Sequence, residues 1–167
     1  MGLFKKLSGN KKKMLEEQQY TIYNPIAGMV TPLSEVNDPV FAEEMMGKGV
    51  AIKPSVGQVV APMDGQIISV FRTMHAVTMI GDNGAEIIIH VGLDTVKLGG
   101  EYYSAHVSDG MRVKKGDLML TFDLEQIEAL GYDLITPIIV TNSADFDAIE
   151  NMATGSNKVG TALIKLK

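Results

Sequence analysis

From Tyr20 onward, apolar runs of four to seven residues are cut again and again by Gly, Pro and Asn/Asp, and that rhythm constrains the fold most. Gly49–Lys53, Gln58–Ala61, Gln66–Phe71, His75–Ile80, Glu86–Val91, Leu118–Phe122, Ile138–Thr141 and Ala162–Leu166 are rich in Val and Ile and bounded by turn residues, which predicts strands. Only Leu124–Leu130 and Asp145–Met152 have a helical pattern, and Gly131 is placed to stop the first. No low-complexity linker and no solenoid repeat divides the body. The expectation is one all-β domain over residues 20–167, a sandwich or partly closed barrel with one or two short helices, behind a basic, flexible arm at 1–19.

Composition narrows the function. A chain of 167 residues with 46% hydrophobic and 21% charged residues is no collagen, coiled coil or disordered polymer. No apolar run approaches the roughly 18 residues of a membrane span, and Lys5 and Lys6 break any signal-peptide core, so a cytoplasmic protein is expected. With no cysteine, thiolate chemistry and disulfides are excluded. Residues 1–13 carry five lysines and no acid, so the net charge of −5 hides a charge of −10 over residues 14–167. Such a body does not suit nucleic acid. In the arm, Leu3, Phe4 and Leu7 stand beside lysines, which suits either an amphipathic helix on an anionic membrane or a solvated tail. Myristoylation is not expected, because Lys6 stands where that motif needs Ser or Thr.

Two segments share a design. Val60–Ile67 and Asp109–Leu118 each link strands through a Gly/Asp turn and are similar to the turn modules of biotinyl and lipoyl carriers. No Met-Lys-Met tip is present for the modification, so a carrier role is not expected.

Of the three histidines, His75 and His90 flank one hairpin signal, Gly81-Asp82-Asn83-Gly84. A two-residue turn at Asn83-Gly84 sets His90 against Val77 and His75 against Gly92; one at Asp82-Asn83 sets His75 against His90. Both registers put the imidazoles on one face with Phe71, Thr73, Val77, Met79, Ile88, Gly92 and Asp94, whereas a three-residue loop would separate them. The other face, Met74, Ala76, Thr78, Ile80, Ala85, Ile87, Ile89, Val91 and Leu93, is nearly all apolar and is expected to face the core. His106 has no such company and reads as structural or incidental.

Two imidazoles without cysteine limit the chemistry. Zinc hydrolysis needs a third ligand; Asp94 could serve, yet no His-x-His or His-Glu-x-x-His spacing is present. A nucleophile elbow, a Walker loop and a kinase glycine loop are all missing. A phosphohistidine relay needs less: one neutral imidazole as nucleophile, a neighbouring donor, and partners to bring and remove the phosphoryl group.

The segment Gly84–Val96 resembles the phosphorylation signature of the glucose-family IIA component of the bacterial phosphoenolpyruvate-dependent sugar phosphotransferase system. The resemblance extends through Asn24–Gly28, Asp38–Glu43, Gly47–Pro54, Ala61–Gly65, Thr73–Ala76 and Gly110–Asp117, and covers roughly residues 20–165 in the family's order. It implies an antiparallel barrel-sandwich with a duplicated hybrid motif. By position, His90 would be phosphorylated at Nε2 with Nδ1 held near Gly92, His75 would donate to a phosphoryl oxygen, and Thr73 would fix the tautomer of His75. Asp38 and Asp94 would flank the site, and Val40, Phe41, Met46, Phe71, Ile88 and Val96 would form an apolar docking ring. The donor would be the histidine-containing phosphocarrier protein and the acceptor a IIB domain of a sugar permease. No cofactor would be required, with adventitious or regulatory zinc at His75 and His90 left open. A zinc-dependent hydrolase on the same architecture, and a regulatory protein binding through the histidine face, are the alternatives.

Overall fold

A computed structural model describes residues 2–167. Each short β-favouring run becomes a strand and each Gly/Pro/Asn/Asp cluster a turn. The strands among the described residues are β1 (Thr21–Tyr23), β2 (Gly28–Pro32), β3 (Lys48–Pro54), β4 (Gln58–Val60), β5 (Gly65–Val70), β6 (Ala76–Gly81) and β7 (Glu86–His90). They continue as β8 (Tyr103–Ala105), β9 (Arg112–Val113), β10 (Leu118–Phe122), β11 (Thr136–Val140), β12 (Ile149–Asn151), β13 (Gly155–Asn157) and β14 (Ala162–Leu166). The helices are α1 (Gly2–Gln19), α2 (Pro39–Ala42) and α3 (Leu124–Ala129).

All described pairings are antiparallel, as the all-β expectation required. An eight-stranded sheet runs β13-β2-β3-β11-β7-β6-β5-β9, and two three-stranded sheets run β1-β14-β12 and β4-β10-β8. The main core lies between them: Ile52, Met79, Ile87, Ile89 and Ile138 of the large sheet pack with Ile22, Val59, Met119, Leu120 and Ile164 of the small ones. The two similar turn segments lie against each other. Ala61 N–H donates to Asp117 O and Gly116 N–H to Ala61 O, each at 2.8 Å. Asp64 accepts from Lys115 N–H at 2.8 Å.

One local expectation changes. Asp145–Met152 is no helix: a 3-10 turn at Ser143–Asp145 leads into β12, where Ile149 pairs with Leu166 of β14. Joining a ready sheet edge outweighs the weak helical preference of so brief a segment. In the basic segment, read from sequence as either an amphipathic helix or a solvated tail, lies helix α1, and its residues 9–19 are exposed. Lys, Met, Leu, Glu and Gln favour helix there, and Thr21 Oγ1 donating to Glu17 O together with Asn83 Nδ2 donating to Gln19 O at 3.0 Å fixes its end. The apolar side chains proposed to meet a membrane, Leu3, Phe4 and Leu7, fall outside those described. No described helix is long and apolar enough to cross a bilayer.

The outer face of the large sheet positions the site. Ala51, Ala76, Ile88 and Ile139 project there and are covered by Leu33, Val36, Phe41 and Met46 from the segment containing α2. His90, at the end of β7, stands at the margin of this second cluster.

Candidate functional site

The hairpin carrying the histidines has a three-residue loop, Asp82–Gly84, closed by Gly81 N–H donating to Ala85 O at 2.8 Å. Its register sets His90 opposite Ala76, one residue from either expected pairing. Asn83 does not enter a two-residue turn; its Oδ1 instead accepts from Ala85 N–H at 3.0 Å. That slip turns β6 over. Val77 and Met79, expected beside the histidines, are in the main core, and Ala76, expected in the core, lies under His90. Leu93 likewise joins the outer cluster.

The imidazoles nevertheless meet, with ring centroids 4.8 Å apart at 85°. His75 precedes β6 and so escapes its alternation. Met74 takes a left-handed φ of 56°, and Met74 N–H donates to Phe71 O at 2.7 Å. This tight turn swings the His75 ring toward His90. Such strain in a non-glycine residue is characteristic of functional turns.

His90 Nδ1 lies 2.8 Å from the carbonyl oxygen of Gly92. A carbonyl only accepts, so Nδ1 carries the proton and the neutral ring presents its lone pair at Nε2. Gly92 has φ +88°, and a Cβ there would lie 2.5 Å from Thr95 Cγ2. Only glycine fits. Burial lowers the pKa of His90, opposed by the Gly92 hydrogen bond and the charge of Asp38.

His75 is 3% exposed, and its Nδ1 lies 2.6 Å from Thr73 Oγ1. Burial, then the neighbouring His90, push its pKa down to about 4. Both rings are therefore neutral near pH 7. Phe71 meets His75 edge to face at 5.5 Å, and Phe41 lies 5.1 Å from His90.

Asp38 caps α2, its Oδ1 accepting from Val40 N–H at 3.0 Å. Asp94 is exposed at φ 59° and makes no capping bond to the 3-10 turn that follows it. Of the expected ring, Val40, Phe71 and Val96 are exposed, Met46 is half-buried, and Phe41 and Ile88 are buried beneath the site. Exposed Met45 and the buried floor of Leu33, Val36, Ile135 and Ile139 were not singled out from sequence. The first had only apolar character to signal it, and the floor needed the fold of the 33–46 segment. His106 lies apart, its Nε2 2.9 Å from Thr121 Oγ1.

Among the described residues no group of three or more His, Cys, Asp or Glu gathers as a metal site, and a zinc hydrolase is not supported. The comparisons point elsewhere. A family model described as phosphoenolpyruvate-dependent sugar phosphotransferase system, EIIA 1, matches residues 20–146. A glucose-specific EIIA component from Bacillus cereus is 50% identical over 163 residues, covering 98% of this chain and 93% of that protein. A beta-glucoside-specific EIIBCA component from Bacillus subtilis is 47% identical over 151 residues, or 90% of this chain. The chain spans only 25% of that longer relative. The solved glucose permease IIA from Mycoplasma capricolum superposes with a TM-score of 0.78 at 33% identity, covering 86% of this chain and 93% of that one. The chain belongs to the EIIA 1 family of the phosphoenolpyruvate-dependent sugar phosphotransferase system.

Proposed function

We propose that residues 20–167 form a phosphoryl carrier that accepts the group on His90 Nε2 from the histidine-containing phosphocarrier protein and passes it to a IIB domain of a sugar permease. The observation that carries this is the 2.8 Å contact from His90 Nδ1 to Gly92 O, which aims an unprotonated Nε2 past a neutral His75. In the transfer the donor's N–P bond breaks as the bond from phosphorus to Nε2 forms, and the electron pair returns to the donor's ring. His90 gains positive charge while its Nδ1–H remains on Gly92 O; the carboxylate of Asp38 favours that charge. With the Thr73 hydroxyl donating to Nδ1, His75 keeps its proton on Nε2, and that N–H hydrogen-bonds to a phosphoryl oxygen. This needs no cofactor.

The apolar surface of Val40, Phe71 and Val96, with Met46 beside it, excludes water when a partner docks, and exposed Asp94 meets that partner's basic groups. Relatives whose names join B, C and A parts support IIB as the acceptor. Exposed Lys11, Lys12 and Lys13 of α1 draw the chain toward an anionic membrane where the permease lies. The test is transfer from phosphoenolpyruvate through the two general phosphotransferase proteins. Acid-labile, base-stable phosphate should appear on the wild-type chain and vanish in His90→Ala; its absence from the wild type, or its persistence in His90→Ala, would overturn the assignment.

A further inference from the structure

Behind the histidines two buried hydroxyls converge on one carbonyl. Thr95, 0% exposed, donates from Oγ1 to Val91 O at 2.7 Å. Tyr103, 5% exposed, donates from its hydroxyl to the same oxygen at 2.9 Å. Burial pushes the Tyr103 phenol up to about 12, so it stays protonated and remains a donor. The Val91 carbonyl belongs to the peptide that leads into Gly92, and Leu93 N–H in the next peptide donates to Asp133 O at 2.8 Å. Val91 N–H, in turn, donates to His75 O at 2.7 Å.

The peptides on both sides of Gly92 are thus tethered, and Gly92 is the residue whose own backbone restrains it least. A free glycine could rotate its carbonyl away from His90 Nδ1, and the ring would then lose the acceptor that selects its tautomer. From this geometry we infer that Thr95 and Tyr103 are positioning residues for phosphoryl transfer: their paired hydroxyls hold the Val91–Gly92 peptide so that Gly92 O keeps the proton of His90 on Nδ1. The inference rests on the proposed role of His90, and neither hydroxyl touches the phosphoryl group. A purely structural role predicts lower stability with an unchanged His90 ring; a positioning role predicts a changed ring in a folded protein.

The two are separated by ring-nitrogen NMR of the unphosphorylated full-length chain at neutral pH, alongside the rate of phosphate acceptance. Thr95→Val keeps the shape and removes the hydroxyl; Thr95→Ser keeps the hydroxyl and drops the methyl; Tyr103→Phe removes the second donor. We expect Thr95→Val/Tyr103→Phe to show His90 partly protonated at Nε2 and to accept phosphate about 10-fold more slowly, the scale of a small misplacement of a reacting group. Thr95→Ser should keep the wild-type ring signals. Folded Thr95→Val/Tyr103→Phe with wild-type signals overturns the inference, as does Thr95→Ser behaving like Thr95→Val. If the double variant does not fold, Tyr103→Phe alone decides by the same signals: a shift toward protonated Nε2 supports the clamp, and an unchanged ring refutes it. Because the NMR signals need no phosphate, a wild-type chain that is never phosphorylated would sink the carrier function, while the ring signals would still decide for or against the clamp.

Discussion

His75 and His90 pack edge to face at 4.8 Å although the hairpin register sets His90 against Ala76 rather than His75. The contact exists because the turn before β6 releases His75 from the strand's alternation. With His75 buried and His90 half-buried beside it, a proton on one ring opposes a second proton on its neighbour.

A pH dependence of stability follows. The pKa of His75 is about 4 in the folded chain against an ordinary 6.5, so between these values the unfolded chain binds more protons. Stability from this group is complete above pH 6.5 and is lost as pH falls toward 4, by an upper bound on the order of 3 kcal/mol. Urea unfolding between pH 7.5 and 4 should show a shallower loss for His75→Gln than for wild type. Parallel curves would mean that His75 titrates normally.

Gly92→Ala tests the loop directly. The substitution demands an unfavourable φ of +88° and drives a Cβ to 2.5 Å from Thr95 Cγ2. It should destabilise the chain by about 2 kcal/mol or more and slow phosphate acceptance beyond that, because Gly92 O moves with the backbone. Gly84→Ala is the control: its φ is +86° but nothing lies within 4 Å of its Cβ, so it should carry the backbone strain without the loss of acceptance.

His75→Gln should still accept phosphate while passing it on slowly. Glutamine can donate one hydrogen bond to a phosphoryl oxygen but cannot exchange a proton as imidazole does. Labelling followed by a chase with a IIB domain separates the two steps; a variant that fails already at labelling would make His75 part of acceptance.

Much of the fold was legible in the chain. Gly and Asn/Asp punctuation marked Leu118–Phe122 and Ala162–Leu166 to the residue, and the run Gly84–Val96 carried the resemblance to the family that the comparisons show. The hairpin register was not legible. Asp82-Asn83-Gly84 supports two-residue and three-residue loops equally well from local sequence, and the choice was made by the side chain of Asn83 bonding Ala85. With a period of two, that single residue moved Val77 and Met79 into the core. Depth was hidden for a similar reason: Phe41 and Ile88 are as apolar as Val40 and Val96, and only the folding of the α2 segment over the sheet shows which are covered.

That difference in depth decides how docking should be tested. Val40, Phe71 and Val96 are 40%, 37% and 54% exposed, so polar replacements there sacrifice little packing. Phe41 and Ile88, at 5% and 4%, are floor rather than rim, and Ile88→Asp would bury a carboxylate among Ala51, Ala76 and Ile139. An uncompensated buried charge costs several kcal/mol, so that variant should unfold or melt far below wild type and says nothing of docking. Phe71→Ser and Val96→Asp should instead keep the melting temperature within a few degrees and slow transfer by about 10-fold, or roughly 1.4 kcal/mol, because a hydrated rim no longer excludes water from the phosphoryl group. Charge should matter less: the charge of −10 over residues 14–167 steers a basic donor at long range, so Glu101→Gln should change the rate modestly and only at low salt. Stopped-flow transfer at two ionic strengths reads both effects. Wild-type rates in folded Phe71→Ser and Val96→Asp would remove this surface from the docking interface.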